Sequence, residues 1–368
     1  MNCLPGLRRS AAGVVLLCVS ASTAASDGVA DAGNAFPAAA GYYEYFVYLP
    51  GDGTPEVAYA EQSCSGALVS EKVVLTAAHC TSFNYVEDIG IAGYYDEVWV
   101  TFDVVATGND FRCFLLAEGV PYSSYFTEDY GCDPSSLSSP APTFRKAAIT
   151  GRNAGVPIAH GLTHPDFLRP ALQPDGRAKR EDKNLQNAPD VGVLILEEPV
   201  RDITPLPVVA VATLDAIAPL KGTPMLSVGY GLNWGKLVGT PPGSGLGPMS
   251  DLGGGNEVKR IARVGPVTGV HPTSLVPRQS VQKGDDTVCF GDSGSPMFLE
   301  RDGRVEHLIS GVLSGATNWC QGSKDPYYRM DQQVAHDFLA CVIERQDDVG
   351  QACRECSAER YFGLCAGQ

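Results

Sequence analysis

The chain has 368 residues, 44% of them hydrophobic and 19% charged, with 27 basic against 42 acidic side chains. That is a globular composition with room for one large domain or two, and it excludes a disordered or fibrous chain. A net charge of −15 repels nucleic acid and anionic lipid, and no apolar run beyond the start is long enough to span a bilayer.

In chain order, Arg8 and Arg9 precede an apolar run from Ala11 to Val19 and then the small residues "SASTAAS". This pattern predicts a secretory signal over residues 1–26, cut near Ala24 to Ser26. Cys18 follows Leu17, where a lipoprotein cysteine wants a small residue, so no membrane anchor is expected. Losing Arg8 and Arg9 lowers the 27 basic residues to 25 against 42 acidic, a net charge of about −17. Losing Cys3 and Cys18 leaves ten of the twelve cysteines. An even number after export predicts disulfides.

From Phe36 onward short β-branched or aromatic runs alternate with turn residues: 42–49, 66–70, 72–78, 96–106, 191–197, 224–231, 258–267 and 307–315. The only long helical pattern is at 332–346, with Val334, Phe338, Leu339 and Val342 at helical spacing. Many short strands and one terminal helix predict a sandwich or barrel. Residues 239–255 are Gly/Pro-rich and 173–188 are charged, so both read as surface loops. Residues 107–145 read as irregular, with Cys113 and Cys132 placed to staple them.

Three segments carry chemistry. "VVLTAAHC" ends a strand on His79 and Cys80, and Cys64 sixteen residues earlier predicts a Cys64–Cys80 bridge that ties the histidine turn to the preceding hairpin. "NAPDVGVLILEEPV" starts an apolar strand on Asp190, an acid that needs a partner if buried, such as an imidazole N–H. "TVCFGDSGSPMF" sets Ser293 among glycines. A serine hydroxyl is inert near neutral pH unless a base and an orienting acid stand beside it.

"LTAAHC", "DVGVLIL" and "CFGDSGSP", in that order, resemble the His, Asp and Ser boxes of the trypsin/chymotrypsin-like serine proteases. The resemblance covers roughly residues 36–345, and the "THPDF" turn at His164 is similar to bacterial, secreted members. It implies an all-β fold of two antiparallel six-stranded barrels with a C-terminal helix. The protease domain would run over 27–346, carry an insertion at about 101–145, and be followed by a Cys-rich tail at 347–368. It implies a serine endopeptidase: Ser293 as nucleophile, His79 as general base, Asp190 as orienting acid, and the N–H groups of Gly291 and Ser293 as oxyanion hole. Thr287, Val288, Ser314, Gly315 and Ala316 would bind substrate, with Tyr327 also on the pocket wall. Thr287 stands where trypsin-like specificity would have Asp, so cleavage after Arg or Lys is not expected. Cys289 would bridge to Cys320.

The activation site of the family, a basic residue before Ile-Val-Gly-Gly, is absent. The partner of Asp292, a new N-terminal ammonium in the family, is therefore left open. Cys341, Cys353, Cys356 and Cys365 permit zinc, a redox dithiol or two disulfides, and two disulfides are the expectation in an exported chain. No cofactor or metal is expected. The expected partners are protein or peptide substrates and protein inhibitors, for a monomer outside the cell or in the periplasm. A catalytically silent binding or regulatory protein, with 101–145 as its contact surface, is the alternative, and ester hydrolysis is a third.

Overall fold

The computed structural model describes residues 29–48, 56–82, 94–120, 132–153, 156–159, 161–167, 171–172, 178–179, 188–231, 258–280, 283–315 and 325–365. The signal segment, the loop at 239–255, most of 173–188, and the residues His160, Ala316 and Cys320 lie outside them.

The strands are β1 Val29–Ala30, β2 Ala39–Tyr48, β3 Glu56–Leu68, β4 Val73–Thr76, β5 Tyr94–Thr101, β6 Arg145–Lys146, β7 Gly151–Asn153, β8 Val156–Ala159, β9 Leu162–Thr163, β10 Ala171–Leu172, β11 Ala178–Lys179 and β12 Gly192–Ile195. The second half adds β13 Pro224–Gly229, β14 Arg260–Val270, β15 Ser274–Pro277, β16 Pro296–Arg301, β17 Arg304–Val305, β18 Gly311–Leu313 and β19 Tyr327–Arg329. In the second half β14, β13, β16, β18, β19 and β15 pair in turn, and β15 pairs back to β14, closing a six-stranded barrel. In the first half β6, β5, β2, β3, β4, β12 and β9 form a curled, seven-stranded half-barrel. The protein is thus a chymotrypsin-like double barrel.

Burial explains the central strands. All four residues of "VVLT" in β4 and of "GVLI" in β12 are buried, as expected of short apolar runs with a core on both faces. Lys259 fastens the halves together. Fully buried, its Nζ donates to Asn34 Oδ1 (2.9 Å), Phe36 O (3.2 Å) and Phe102 O (2.6 Å), joining the segment before β2 to the end of β5. Burial pushes its ammonium down to about 8, against the opposing pull of Asp31 and Asp103.

Four helices matter here: α1 Ala78–Thr81, α2 Gly108–Ala117, α3 Gln333–Glu344 and α4 Val349–Cys356. The predicted terminal helix is α3, which buries Ala335, Phe338, Leu339 and Val342. Val334, read as part of that face, is 44% exposed. Part of the insertion, expected to be irregular, is helical. Thr107 and Asp110 form a capping box for α2, and Asp110 also accepts from Ser138 N (2.8 Å) and Ser138 Oγ (2.7 Å). Phe111 and Phe114 pack with Tyr43, Trp99 and Phe144 on the first half-barrel. The Cys113–Cys132 bridge closes the segment. No helix among the described residues is long and apolar enough to cross a membrane.

Candidate active site

Strand register brings His79 and Asp190 together. β4 and β12 are antiparallel with Thr76 opposite Gly192, so the residues just after β4 meet those just before β12. His79 N donates to Asp190 Oδ1 (3.0 Å), and the ring Nδ1 lies 2.9 Å from Asp190 Oδ2. Ser314 Oγ donates to the same Oδ2 at 2.5 Å. Burial pushes the Asp190 carboxyl up, but the His79 charge and the hydrogen bonds from His79 and Ser314 outweigh it and hold it below the usual carboxylate range. An ionised carboxylate can only accept, so Nδ1 carries the proton and Nε2 is left as a base. The imidazole is one-third exposed and the carboxylate 4%. One member of the pair is open to a substrate and the other is not.

The Ser293 loop is held by glycines in the left-handed region, Gly291 at φ +89° and Gly294 at φ +85°. A Cβ on Gly294 would lie 2.1 Å from Thr76 Oγ1 and 2.3 Å from Ser65 O, so only glycine lets the loop sit against β3 and β4. Ser293 O accepts from Ser65 N (2.7 Å), and Gly294 N donates to Leu313 O (2.9 Å). Ser293 O is also 3.8 Å from Cys80 Sγ, next to His79. The Cys64–Cys80 bridge, which forms as expected, fixes that turn to β3. The structure therefore gathers the His79, Asp190 and Ser293 segments at one place between the two halves.

Two residues missed in the sequence support this loop. Gln62 Nε2 and Ser65 Oγ each donate to Gly291 O at 2.8 Å. That turns the carbonyl toward the first half-barrel. Among the described residues, the N–H groups of Gly291 and Ser293 donate no backbone hydrogen bond. Neither Gln62 nor Ser65 sits in a recognisable motif; only their placement opposite the nucleophile loop reveals them.

Asp292, whose partner was left open, accepts from Gly231 N (2.8 Å) and Cys289 N (2.9 Å). A Cβ on Gly229 or Gly231 would lie 2.3 Å or 2.4 Å from that carboxyl group, so both positions leave it room. With Arg260, Ser227, Ala262 and Val288 it lines a small cavity beside the nucleophile loop.

Of the predicted substrate-binding residues, Thr287 and Val288 are buried at 2% and 1%, whereas Ser314 and Gly315 are half-buried. Among the described residues, a Cβ on Gly315 would meet nothing within 4 Å. Ser314 N donates to Pro326 O (2.9 Å), continuing the β18–β19 pairing past Leu313 and Tyr327. This places Asp325, a buried acid not singled out in the sequence, on the neighbouring wall.

The tail cysteines form Cys341–Cys356 and Cys353–Cys365, which settles their open connectivity. Cys289 is also disulfide-bonded; its expected partner Cys320 is outside the described residues. His164 is a buried structural residue, its Nε2 3.1 Å from Val334 O and its Nδ1 accepting from Asp166 N. Burial pushes that imidazole below its usual value, which keeps it neutral.

The sequence model of the Trypsin family matches residues 36–99, from the approach to β2 through most of β5, including the His79 turn. No curated protein matches the sequence. Among solved structures, human heparin binding protein is similar at 16% identity with a TM-score of 0.44, over 87% of this chain and 96% of that one. An engineered variant of the same human protein is similar at 15% identity and a TM-score of 0.43, with the same coverage. The match over residues 36–99 supports a relation of this chain to the trypsin/chymotrypsin-like family. Its fold and several disulfides are typical of secreted or extracellular proteins.

Proposed function

We propose that the protein is a secreted serine endopeptidase that hydrolyses peptide bonds through an acyl-enzyme on Ser293. The observation that carries this reading is the buried, ionised Asp190 bonded to the ring and backbone of His79, beside a serine loop held by glycines. His79 Nε2 takes the Ser293 hydroxyl proton as Oγ attacks the scissile carbonyl, then returns it to the leaving amine; water enters by the reverse steps. Asp190 fixes the tautomer and stabilises the imidazolium. The Gly291 and Ser293 N–H groups meet the oxyanion, and losing one such donor costs about 3–4 kcal/mol. Rapid, stoichiometric labelling of Ser293 by an organophosphonate tests the reading. Folded protein that stays unlabelled would favour the silent binding protein instead. Ester turnover with no peptide cleavage would favour the ester hydrolase.

For specificity, Thr287 and Val288 bring no charge to the buried end of the pocket, which favours apolar or small side chains before the scissile bond. Digestion of a peptide library should give cleavage mainly after such residues. Dominant cleavage after Arg or Lys, abolished in Asp325→Asn, would overturn this and move the specificity to the Asp325 wall.

A further inference from the structure

The Cys-rich tail is packed against the back of the His79 turn. After α4, a short 3₁₀ helix, Ala358–Phe362, follows Ser357, whose Oγ donates to Cys353 O (2.8 Å). The Cys341–Cys356 bridge ties α4 to α3, Cys353–Cys365 closes the segment on itself, and Cys365 forms an antiparallel bridge with Gly151.

From this small knot two adjacent residues reach the first half-barrel. Ala358 is fully buried in a cluster with Phe167 and Ala78, the residue before His79. Glu359 is fully buried, and its Oε2 accepts from Thr163 N at 3.2 Å. The Oγ1 of Thr163 is 3.0 Å from Thr81 Oγ1, and that hydroxyl also donates to Ala78 O (3.1 Å) inside the His79 turn. Thr81 packs closely against two glycines. A Cβ on Gly161 would lie 2.5 Å from its Cγ2, and one on Gly192 2.3 Å from its Oγ1. Both glycines make room for it. Thr163 also pairs with Gly192, two residues past Asp190. Both residues of the acid–base pair therefore lean on Thr81 and Thr163, and behind these stands Glu359.

We propose that this disulfide-closed tail is a positioning module for the His79–Asp190 pair, with Glu359 as a positioning residue acting through Thr163 and Thr81. A buried carboxylate is costly where an apolar side chain would fill the space. Burial pushes this one up, against hydrogen bonds from Thr163 and Ser357, and among the described residues its Oε1 has no partner. A residue that served only to fill the core would not carry that cost. The pocket residues Thr287 and Val288 lie on the other barrel, so the module acts on the chemical step and leaves substrate binding alone.

The proposal rests on the endopeptidase reading, and its test separates the two. In the full-length secreted protein, Glu359→Ala leaves Thr163 N–H without its acceptor, whereas Glu359→Gln keeps an oxygen there. Glu359→Ala should lower kcat on a peptide substrate roughly 10- to 100-fold, the scale of a small misplacement of a reacting group. KM should stay within about threefold, because uniform binding is untouched. Glu359→Gln should recover most of kcat. Thr163→Val, which keeps the N–H and the shape but loses the hydroxyl, should fall between them, which covers the case of an unfolded Glu359→Ala. An unchanged kcat in Glu359→Ala and Thr163→Val, or a matching change in KM, would overturn the proposal. If the parent protein neither cleaves peptide nor takes up phosphonate, the endopeptidase reading fails. Amide hydrogen exchange at residues 78–82 then decides: faster exchange in Glu359→Ala but not in Glu359→Gln sustains the positioning, and equal exchange overturns it.

Discussion

Asp190→Asn should lower kcat about 10⁴-fold, the size of effect this substitution has in a Ser-His-Asp triad, with the fold intact. Asp190 accepts every hydrogen bond offered to it: His79 N–H, the His79 ring and the Ser314 hydroxyl. Asn can accept on one side only. Its amide NH₂ on the other side would require Nδ1 to become an acceptor, which moves the imidazole proton to Nε2 and removes the base. The pH dependence follows. A carboxylate with a depressed folded pKa contributes stability above its unfolded value of about 3.9, lost only as pH falls through the lower folded value. The pair is thus intact at any pH above about 4, and an acid limb of the rate profile above that pH reports protonation of the imidazole. Steady-state rates of both proteins from pH 4 to 9 check this; a tenfold loss or less in Asp190→Asn would mean that His79 is oriented by something else.

Gly294→Ala should abolish measurable labelling and destabilise the protein, while Gly303→Ala should do neither to a comparable degree. Both glycines have positive φ, +85° and +70°. Placing an L-residue there costs about 1–2 kcal/mol. Gly303 pays only that, since a Cβ on it meets nothing within 4 Å. At Gly294 the Cβ would strike Ser65 O at 2.3 Å, a backbone atom of β3 that cannot swing away, as well as Thr76 Oγ1. The loop must move outward, and the Ser65 N to Ser293 O bond breaks with it. Thermal melting and phosphonate labelling of the two variants side by side separate the conformational cost from the clash. Equal effects of the two substitutions would show that Ser293 does not depend on this contact.

Much of this site could be read in the sequence because its residues are constrained by neighbours in the chain. The strand before His79, the Cys64–Cys80 pair and the glycines around Ser293 all act through short-range geometry that leaves a pattern of residue types. Asp190 was legible for the same reason, as an acid on the first residues of an apolar strand. Gln62, Ser65, Thr163 and Glu359 were not. Each supports the site across a long sequence separation, through a hydrogen bond to a main-chain or hydroxyl group that many side chains could make. The spacing of the strands predicted a sandwich or barrel and the resemblance of the three boxes supplied the double barrel, but α2 was not foreseen, because its apolar face is short, made of Phe111, Phe114 and Leu115 after a capping box. Two partners of Asp292 were illegible for another reason: the N–H groups of Gly231 and Cys289 belong to the backbone and carry no residue identity.

The most direct test of the central claim is to treat the protein with a tagged organophosphonate and map the adduct by peptide mass. A single stoichiometric adduct on Ser293 is predicted, absent in Ser293→Ala and strongly slowed in His79→Ala. Folded protein that carries no adduct, or carries it on another residue, would contradict it.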